Sequence, residues 1–546
     1  MVVGGSSTMG GTMTIPPAVV FGRLAFGPRT AEIGAGDIDT GRPDWLARWL
    51  DRQLSPDLSS DGHDDPEVER HLAAARLRIR YPAGDGWEAV DEDRPLACLS
   101  QPIEALWPLA ANRPAVAGPE RQRPRLETAA ATLIRAVHSR WQLREVLVDF
   151  WHNHFNVNAA GEPAVAAALP VYDRDVIRRH ALGNFRAFLE AVATSSAMQV
   201  YLNNRSSRAG AANENYAREL FELHGLGRDA YLNALYNRWR DVPGALRGAP
   251  DGYIDQDVYE AARAFTGWTL EDGAGLGGDA RLPVTGRFTY VEGWHDSYQK
   301  RVLGREFDPF QSPMDDGRRV LDLVADHPAT ARNLCTALCR RLVADDPPAG
   351  LVALAARVWT ESRSKPDQIA RVVRAIALSP DFARIRDAKV KRPLELVASF
   401  ARGAGIDLVP TNALLGELDG SGQRLFGWPA PVGHPDRMEA WLGAAAMRRR
   451  WSLLLGLAEN RWETGAIDLA ARFPAPLSAA AAVDRWQEIL HGGEPERATT
   501  AAILSGMGLA ADAILTPGTT AGAKTDDGRL RRVAAFVAMA PRFNQR

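Results

Sequence analysis

The chain has 546 residues, 46% of them hydrophobic and 24% charged, and its formal net charge at pH 7 is −2. This length allows a large buried core, and the near-neutral charge gives no extended basic surface of the kind that binds nucleic acid. No segment reaches the roughly 18 to 20 apolar residues that a membrane helix needs, and the first residues lack the basic region and apolar run of a secretory signal. The composition therefore predicts a soluble, cytoplasmic protein without nucleic-acid or membrane partners.

The predicted elements begin after a flexible tail. Residues 1–17 are rich in Gly, Ser and Thr and are predicted to lack regular structure. Helical spacing of apolar residues then returns along most of the chain, and it predicts one helix over 67–80. Two prolines predict a connection over 161–170, because proline breaks a helix interior. Residues 228–250 show no clear period and are a candidate insertion.

One stretch alternates between apolar and polar residues as a strand does, and it reads RFTYVEGWHD at 287–296. Helical patterns dominate on both sides of this stretch. The sequence therefore predicts a mainly α protein, with one large multi-helix domain over 18–546, Pro/Gly-rich loops and at most a short β hairpin.

The strongest chemical pattern lies in the stretch NENYARELFELHGLG, residues Asn213–Gly227. A helix over this stretch would place Asn215, Glu219 and Glu222 on one face, because they are spaced i, i+4 and i+7. His224 would fall on the apolar face instead. The stretch opens with an asparagine suited to an N-cap and closes with glycines suited to a C-cap.

A second helical stretch, LREVLVDFWHNHFNV at 143–157, carries a matching polar stripe. Asp149 and His152 share this stripe, whereas His154 falls among the apolar residues if the helix is continuous. The two histidines would then be unable to bind one ion. If the helix ended near Trp151, extended backbone would turn both to the same side.

These two stretches, with several others, resemble one bacterial family, domain-of-unknown-function family 1800. The combination of WHNHF with NENxARELxEL is specific, and the matching segments run in family order from about Phe21 to the C-terminus. The resemblance implies a mostly helical fold in a family without an established activity, many of whose members carry export signals. The other matching segments are RLAFGPRTAEI, YDRDVIRRHALGNF, AARAFTGW, HDSYQKRVLG, LSPDFARI, KRPLELVASF and GQRLFGWPAPVGHPDRMEAWL.

The two polar stripes predict a metal site between the two helices. An Asp-x-x-His pair facing Glu-x-x-Glu is similar to the carboxylate-bridged di-metal sites of helical bundles. Mixed oxygen and nitrogen ligands suit iron, manganese or zinc, so we expect a metal-dependent enzyme on a small organic substrate: an oxidoreductase with iron, a hydrolase or lyase with zinc or manganese. The candidate ligands are Asp149, His152, His154, Glu219, Glu222 and His295, and the candidate catalytic residues are Asn215, Arg218, Asp296 and Lys300.

Two other functions fit the same residues. The run at 64–67, Asp-Asp-Pro-Glu, and Asn215 with Glu219 are similar, at altered spacing, to the Mg²⁺-diphosphate motifs of helical terpene cyclases, which would indicate a lyase or cyclase. Alternatively, the His and Glu residues form a buried polar network in a non-catalytic helical scaffold or partner-binding protein. The chain has no phosphate loop and no dinucleotide fingerprint, so no nucleotide cofactor is expected. These patterns do not predict an oligomeric state.

Overall fold

The computed structural model describes residues 15–29, 38–55, 65–84, 86–111, 115–518 and 526–546. The first 14 residues of the predicted tail and residue 64 of the predicted diphosphate motif lie outside the described residues. The described part is mainly helical, which confirms the predicted fold class. Its α-helices are α1 Pro17–Leu24, α2 Trp45–Gln53, α3 Pro66–Ala74, α4 Ile103–Leu106, α5 Gly118–His138, α6 Gln142–His154, α7 Pro163–Val171, α8 Phe185–Ala193, α9 Ser196–Tyr201, α10 Glu214–Glu219, α11 Asp255–Ala264, α12 Asp315–Asp326, α13 Pro328–Leu342, α14 Ala349–Glu361, α15 Gln368–Ala377, α16 Pro380–Arg384, α17 Pro393–Ala404, α18 Asn412–Gly420, α19 Ala444–Ala458, α20 Leu469–Arg472, α21 Ala479–His491, α22 Arg497–Met507, α23 Asp527–Met539 and α24 Pro541–Asn544.

The β-structure of the described residues is limited to short two-stranded sheets. The strands are β1 Arg76–Tyr81, β2 Val90–Pro95, β3 Trp268–Asp272, β4 Gly275–Gly277, β5 Ala280–Arg281, β6 Val284–Tyr290, β7 Lys300–Val302, β8 Arg305–Phe307, β9 Leu477–Ser478 and β10 Ile514–Leu515. They pair antiparallel as β1–β2, β3–β6, β4–β5, β7–β8 and β9–β10, which is more than the single hairpin that alternation indicated. The strand predicted within 287–296 is confirmed in its first part, as the end of β6.

The helix predicted over 67–80 is wrong beyond Ala74. The chain turns there from α3 into β1, which begins at Arg76 and pairs with β2. Leu77 and Ile79 are buried, and the arginines between and beside them are exposed. This two-residue alternation is the strand period, and it overrides the helical pattern that precedes it.

The connection predicted over 161–170 is wrong as well, because α7 occupies most of it. Pro163 is the first residue of α7, where a proline costs no helical hydrogen bond. Pro170 lies inside the helix and removes one such bond. The chain then passes without interruption into a π-helical segment, Tyr172–Arg178, so the helix widens directly after the proline instead of ending at it.

The two chemically informative stretches both fold as helices. α6 continues without a break to His154. α10 follows the predicted cap, Asn213, whose side chain accepts the N–H of Asn215 at 3.0 Å. After Glu219 the chain enters a second π-helical segment, Leu220–His224. Because a π turn holds more residues than an α turn, the face predicted from a 3.6-residue period holds only as far as Glu219.

A single large cluster of buried hydrophobic side chains extends from Val20 in α1 to Phe543 in α24. The candidate insertion, 228–250, forms short 3₁₀ turns around a small separate cluster that includes Val242 and Ala245. Its status as an insertion stays a prediction. Within the described ranges, no helix has both the length and the apolar character needed to cross a membrane.

Candidate functional site in an arginine-lined cavity

The two stretches meet at one cavity of about 550 Å³, called here the first cavity. The end of α6 contributes Asn153 and His154 to its wall, and the second π-helical segment contributes Glu222 and Leu223. The remaining walls come mainly from α13 and from a loop at 428–437. Two of the six predicted metal ligands, His154 and Glu222, therefore line the same cavity.

Two asparagines of the WHNHFNV segment hold the 428–437 loop in place. The Asn153 side chain donates to the backbone oxygen of His434 at 2.9 Å and accepts the His434 N–H at 2.7 Å. Asn156 donates to the backbone oxygens of Trp428 and Ala430 at 3.1 and 2.8 Å. Gly433 permits this close approach, because its φ is +72° and a Cβ there would lie 2.2 Å from the backbone oxygen of Asn153.

These asparagines were missed by the sequence interpretation, which considered only the histidines of the segment. Their signal was available, since WHNHF and GQRLFGWPAPVGHPDRMEAWL are both family segments and the structure joins them. The pairing of a side-chain amide with both the N–H and the carbonyl of one residue fixes backbone position closely. The asparagines thus act as positioning residues for one wall of the cavity.

His154 presents a neutral imidazole to the first cavity. Its Nε2 lies 3.2 Å from the backbone oxygen of His224. A carbonyl can only accept, so Nε2 carries the proton and Nδ1 keeps its lone pair. Among the described residues, none makes a hydrogen bond with Nδ1. Burial lowers the pKa of His154 to about 4, so the ring stays neutral at pH 7.

Behind the cavity wall lies a buried ion-pair network. Arg341 lies 2.9 Å from a carboxylate oxygen of Asp149, and Arg392 binds the same oxygen. Arg341 also binds a second carboxylate, that of Glu395, which lies 3.2 Å from Arg546. Burial would raise the pKa of Glu395, but the surrounding guanidinium groups hold it well below its usual range. Asp149, a predicted metal ligand, therefore already has two cations as partners.

Among the described residues, five arginines and three carboxylates line the first cavity. Arg341 and Arg392 belong to the network, and the remaining pairs are Arg228 with Glu222 at 2.6 Å and Arg437 with Asp346 at 2.6 Å. Arg340 differs from the others. Its Nε donates to the backbone oxygen of Asp345 at 3.0 Å, and it forms no ion pair with a described residue. The cavity thus offers one guanidinium group without a direct ion pair to a described residue, although its charge acts on Asp346.

His152 lies outside the first cavity. Its Nε2 is 2.8 Å from Asp173, a buried carboxylate in the first π-helical segment. Burial opposes ionisation of Asp173, but His152, Arg178 and Arg135 lower its pKa well below the usual range. Because α6 is continuous to its end, His152 and His154 point to different partners. This is the arrangement expected from the sequence for an unbroken helix.

The other residues predicted from the second stretch lie around α10. Glu219 is half-buried, and burial together with the charge of Glu222 raises its pKa. Asn215 is exposed on the first turn. Arg218 lies 3.1 Å from Glu214 and 3.8 Å from Asp255. None of these three side chains lines the first cavity.

The residues predicted near 295–300 form a separate cluster around Asp316. His295 lies 3.2 Å and Lys300 2.7 Å from the same Asp316 oxygen. Asp296 instead receives two hydrogen bonds from Arg263, at 2.8 and 3.0 Å. The structure therefore divides the predicted metal ligands and catalytic residues among several places.

One other group has the residue types of a metal site. Within the described ranges, ligand atoms of Glu67, His71 and His138 lie within 4.8 Å of one another. Arg29 stands among them, with its guanidinium nitrogens 3.0 Å from Glu67 and 3.0 Å from His138 Nδ1. The residues do not fit a metal ion, because this group already holds a cation. Asp65, from the predicted diphosphate motif, caps α3 and is buried.

The fold and the cavity define a large, mainly α protein with a polar site between its central helices. The chain belongs to the family described as "Protein of unknown function (DUF1800)", which matches residues 19–545. This confirms the resemblance found in the sequence. No curated protein and no solved structure matches the chain.

Proposed function

We propose that the chain is an enzyme that acts on a small organic anion held in the first cavity. The observation that carries this proposal is the presence, at one cavity, of an arginine without an ion-pair partner and a neutral histidine with a free lone pair. Small-molecule sites are commonly clefts of roughly 300 to 1,000 Å³. The cavity of about 550 Å³ has this size.

Each wall of the cavity has a role in this proposal. Arg340 binds a carboxylate or phosphate group of the substrate, since a guanidinium group can donate two parallel hydrogen bonds to such a group. Trp428 supplies an apolar wall for the rest of the molecule. The negative charge of the bound substrate raises the pKa of His154 from about 4. His154 Nδ1 thereby becomes a stronger proton acceptor when substrate is present.

Substitution of Arg340 tests the proposal. In a panel of aliphatic and aromatic carboxylic acids, followed by isothermal titration calorimetry, we expect at least one ligand for the wild type and a loss of about tenfold or more in affinity for Arg340→Ala. Arg357→Ala is the matched control, because Arg357 is exposed on α14 and away from the cavity lining. Equal affinity in all three proteins would contradict the proposed role of Arg340. A wild type that binds no acid would instead favour the non-catalytic scaffold.

A metal-dependent form of this enzyme stays a prediction. For it we propose as ligands only those predicted residues that line the first cavity. His154 Nδ1 and the Glu222 carboxylate are the two predicted ligands that line the cavity, whereas Asp149 and His152 have buried protein partners. Iron, manganese and zinc all accept such mixed ligands.

Elemental analysis of protein purified without tag or chelator tests the metal. If the enzyme uses one, we expect about one equivalent in the wild type, loss of the metal in His154→Ala and retention in His152→Ala. His152→Ala is the control because it removes a histidine from the same helix outside the first cavity. Loss of metal only in His152→Ala would contradict His154 as a ligand. Absence of metal in all three proteins would show that the enzyme is not metal-dependent.

A further inference from the structure

A second cavity, of about 600 Å³, lies between α1, the end of α21, the segment 386–391 and the last residues of the chain. Nothing in the proposed function uses it. Among the described residues, its wall contains five cationic side chains and two carboxylates. The cations are Arg23, Arg386, Lys391, Arg542 and Arg546, and the carboxylates are Asp387 and Glu496.

Two of the five cations are buried and have no carboxylate partner. Arg23 is 1% exposed, and its Nη groups donate to the backbone oxygens of Phe382 and Ile385 at 3.0 and 2.7 Å. Its Nε is buried without a hydrogen-bond partner. Lys391 is 7% exposed, and its ammonium group donates to the Ser399 hydroxyl at 2.8 Å. Neither side chain forms an ion pair with a described residue.

Asp387 acts on Arg23 through its charge without forming an ion pair with it, and the other carboxylates near these cations are already engaged. Glu496 lies 3.1 Å from Arg542. Glu395 lies behind the wall and is shared by Arg341 and Arg546. The ammonium group of Lys391 therefore relies on the face of the Phe543 ring, whose centroid is 3.8 Å away. A buried charge without a counter-ion is unfavourable, so the second cavity has an excess of positive charge.

The titration of the two side chains agrees with this geometry. Burial lowers the pKa of Lys391 to about 7, although the charge of Glu395 opposes the shift. Burial also lowers the pKa of Arg23 to about 10, and the neighbouring Arg386 adds to the shift while the charge of Asp387 opposes it. A bound anion would reverse both shifts, because an opposite charge favours the protonated form.

We propose that the second cavity is a binding site for a phosphate group, with Arg23, Lys391 and Arg546 as its main ligands. A phosphate dianion supplies two negative charges and several acceptor oxygens, which matches an excess of cations with unused N–H groups better than one carboxylate does. The cavity is large enough for a phosphate ester of a small molecule as well as for inorganic phosphate. Inorganic phosphate and a phosphate ester would both be recognised through the phosphate group.

Titration calorimetry of the full chain tests this site. We expect inorganic phosphate to bind the wild type at constant ionic strength, and its affinity to fall about tenfold or more in Lys391→Met. Arg497→Ala is the control, because Arg497 is exposed at the start of α22 and does not line the cavity. Arg23→Met is the second variant, and the melting temperature of each variant shows whether it folds.

Three outcomes decide the proposal. Tighter binding of glycerol 3-phosphate than of inorganic phosphate, lost in Lys391→Met, would support the site and identify a phosphate ester as its ligand. Equal or weaker binding of the ester would support the site with free phosphate as its ligand. The proposal is overturned if phosphate does not bind, if succinate binds in its place, or if folded Lys391→Met and Arg23→Met keep the wild-type affinity. Failure of the Arg340 test would leave this result unchanged, because Arg340 lines only the first cavity.

Discussion

Three buried histidines that are neutral in the folded chain are expected to contribute about three protons to the uptake on unfolding at pH 5, and almost none at pH 8. Burial lowers the pKa of His224 to about 3 and the pKa values of His434 and His491 to about 4. In the unfolded chain each returns to roughly 6.5. The contribution of these histidines to the free energy of unfolding is therefore fully present above pH 6.5 and is lost as the pH falls toward 4.

The expected slope is large. Three protons correspond to roughly 4 kcal/mol of unfolding free energy per pH unit near pH 5. Urea unfolding at a series of pH values between 4.5 and 7.5 measures it. In His491→Gln the slope should fall by about one proton, or roughly 1.4 kcal/mol per pH unit, while the glutamine amide replaces the donor to the Val537 oxygen. An unchanged slope in this variant would mean that His491 is already charged in the folded chain.

Glu395→Gln is expected to destabilise the protein by about 3–5 kcal/mol, since it leaves buried cations of the ion-pair network without their shared counter-ion. The Glu395 side chain is 6% exposed, and it faces Arg341, Arg392 and Arg546. Glutamine keeps the size of the side chain and can still accept the Arg392 N–H. The loss in unfolding free energy therefore comes from the removed charge and not from a change in the size of the side chain.

The matched control is Glu488→Gln, which removes one charge from an exposed pair with Arg485. Exposed pairs contribute about 0–1 kcal/mol, so this variant should stay close to the wild type in urea unfolding. A cost below about 1 kcal/mol for Glu395→Gln would show that water or another group compensates the arginines. That result would refute the role of Glu395 as the shared counter-ion of these arginines.

The helices could be predicted from the sequence because their signals are local. The apolar stripe of α6 and the cap at Asn213 depend on residues within a few turns of one another, and both predictions are confirmed. The strand at 76–81 was missed for the same reason, since a short alternation directly follows a strong helical pattern. Local periodicity identifies faces and ends of elements.

The partners of those faces could not be predicted in this way. The polar stripe of α6 could be recognised in the sequence, but its partners could not. Asp149 is covered by Arg341 and Arg392, which are 192 and 243 residues away in the chain. A carboxylate beside a histidine has the same local pattern whether a metal or a guanidinium group covers it. Only the tertiary arrangement distinguishes the two.

The π-helical segment at 220–224 has a consequence for the length of the chain around the first cavity. It holds one residue more than the α-helical pattern would need, and Glu222 lines the cavity from within it. Deleting one residue from this segment would return it to ordinary α-helical geometry, and the residues after it would keep nearly the same direction, because the wider turn absorbs the extra residue. The deletion would instead shift the side chains inside the segment, including Glu222. The spacing between Asn213 and Gly225 is therefore part of what places Glu222 at the cavity wall.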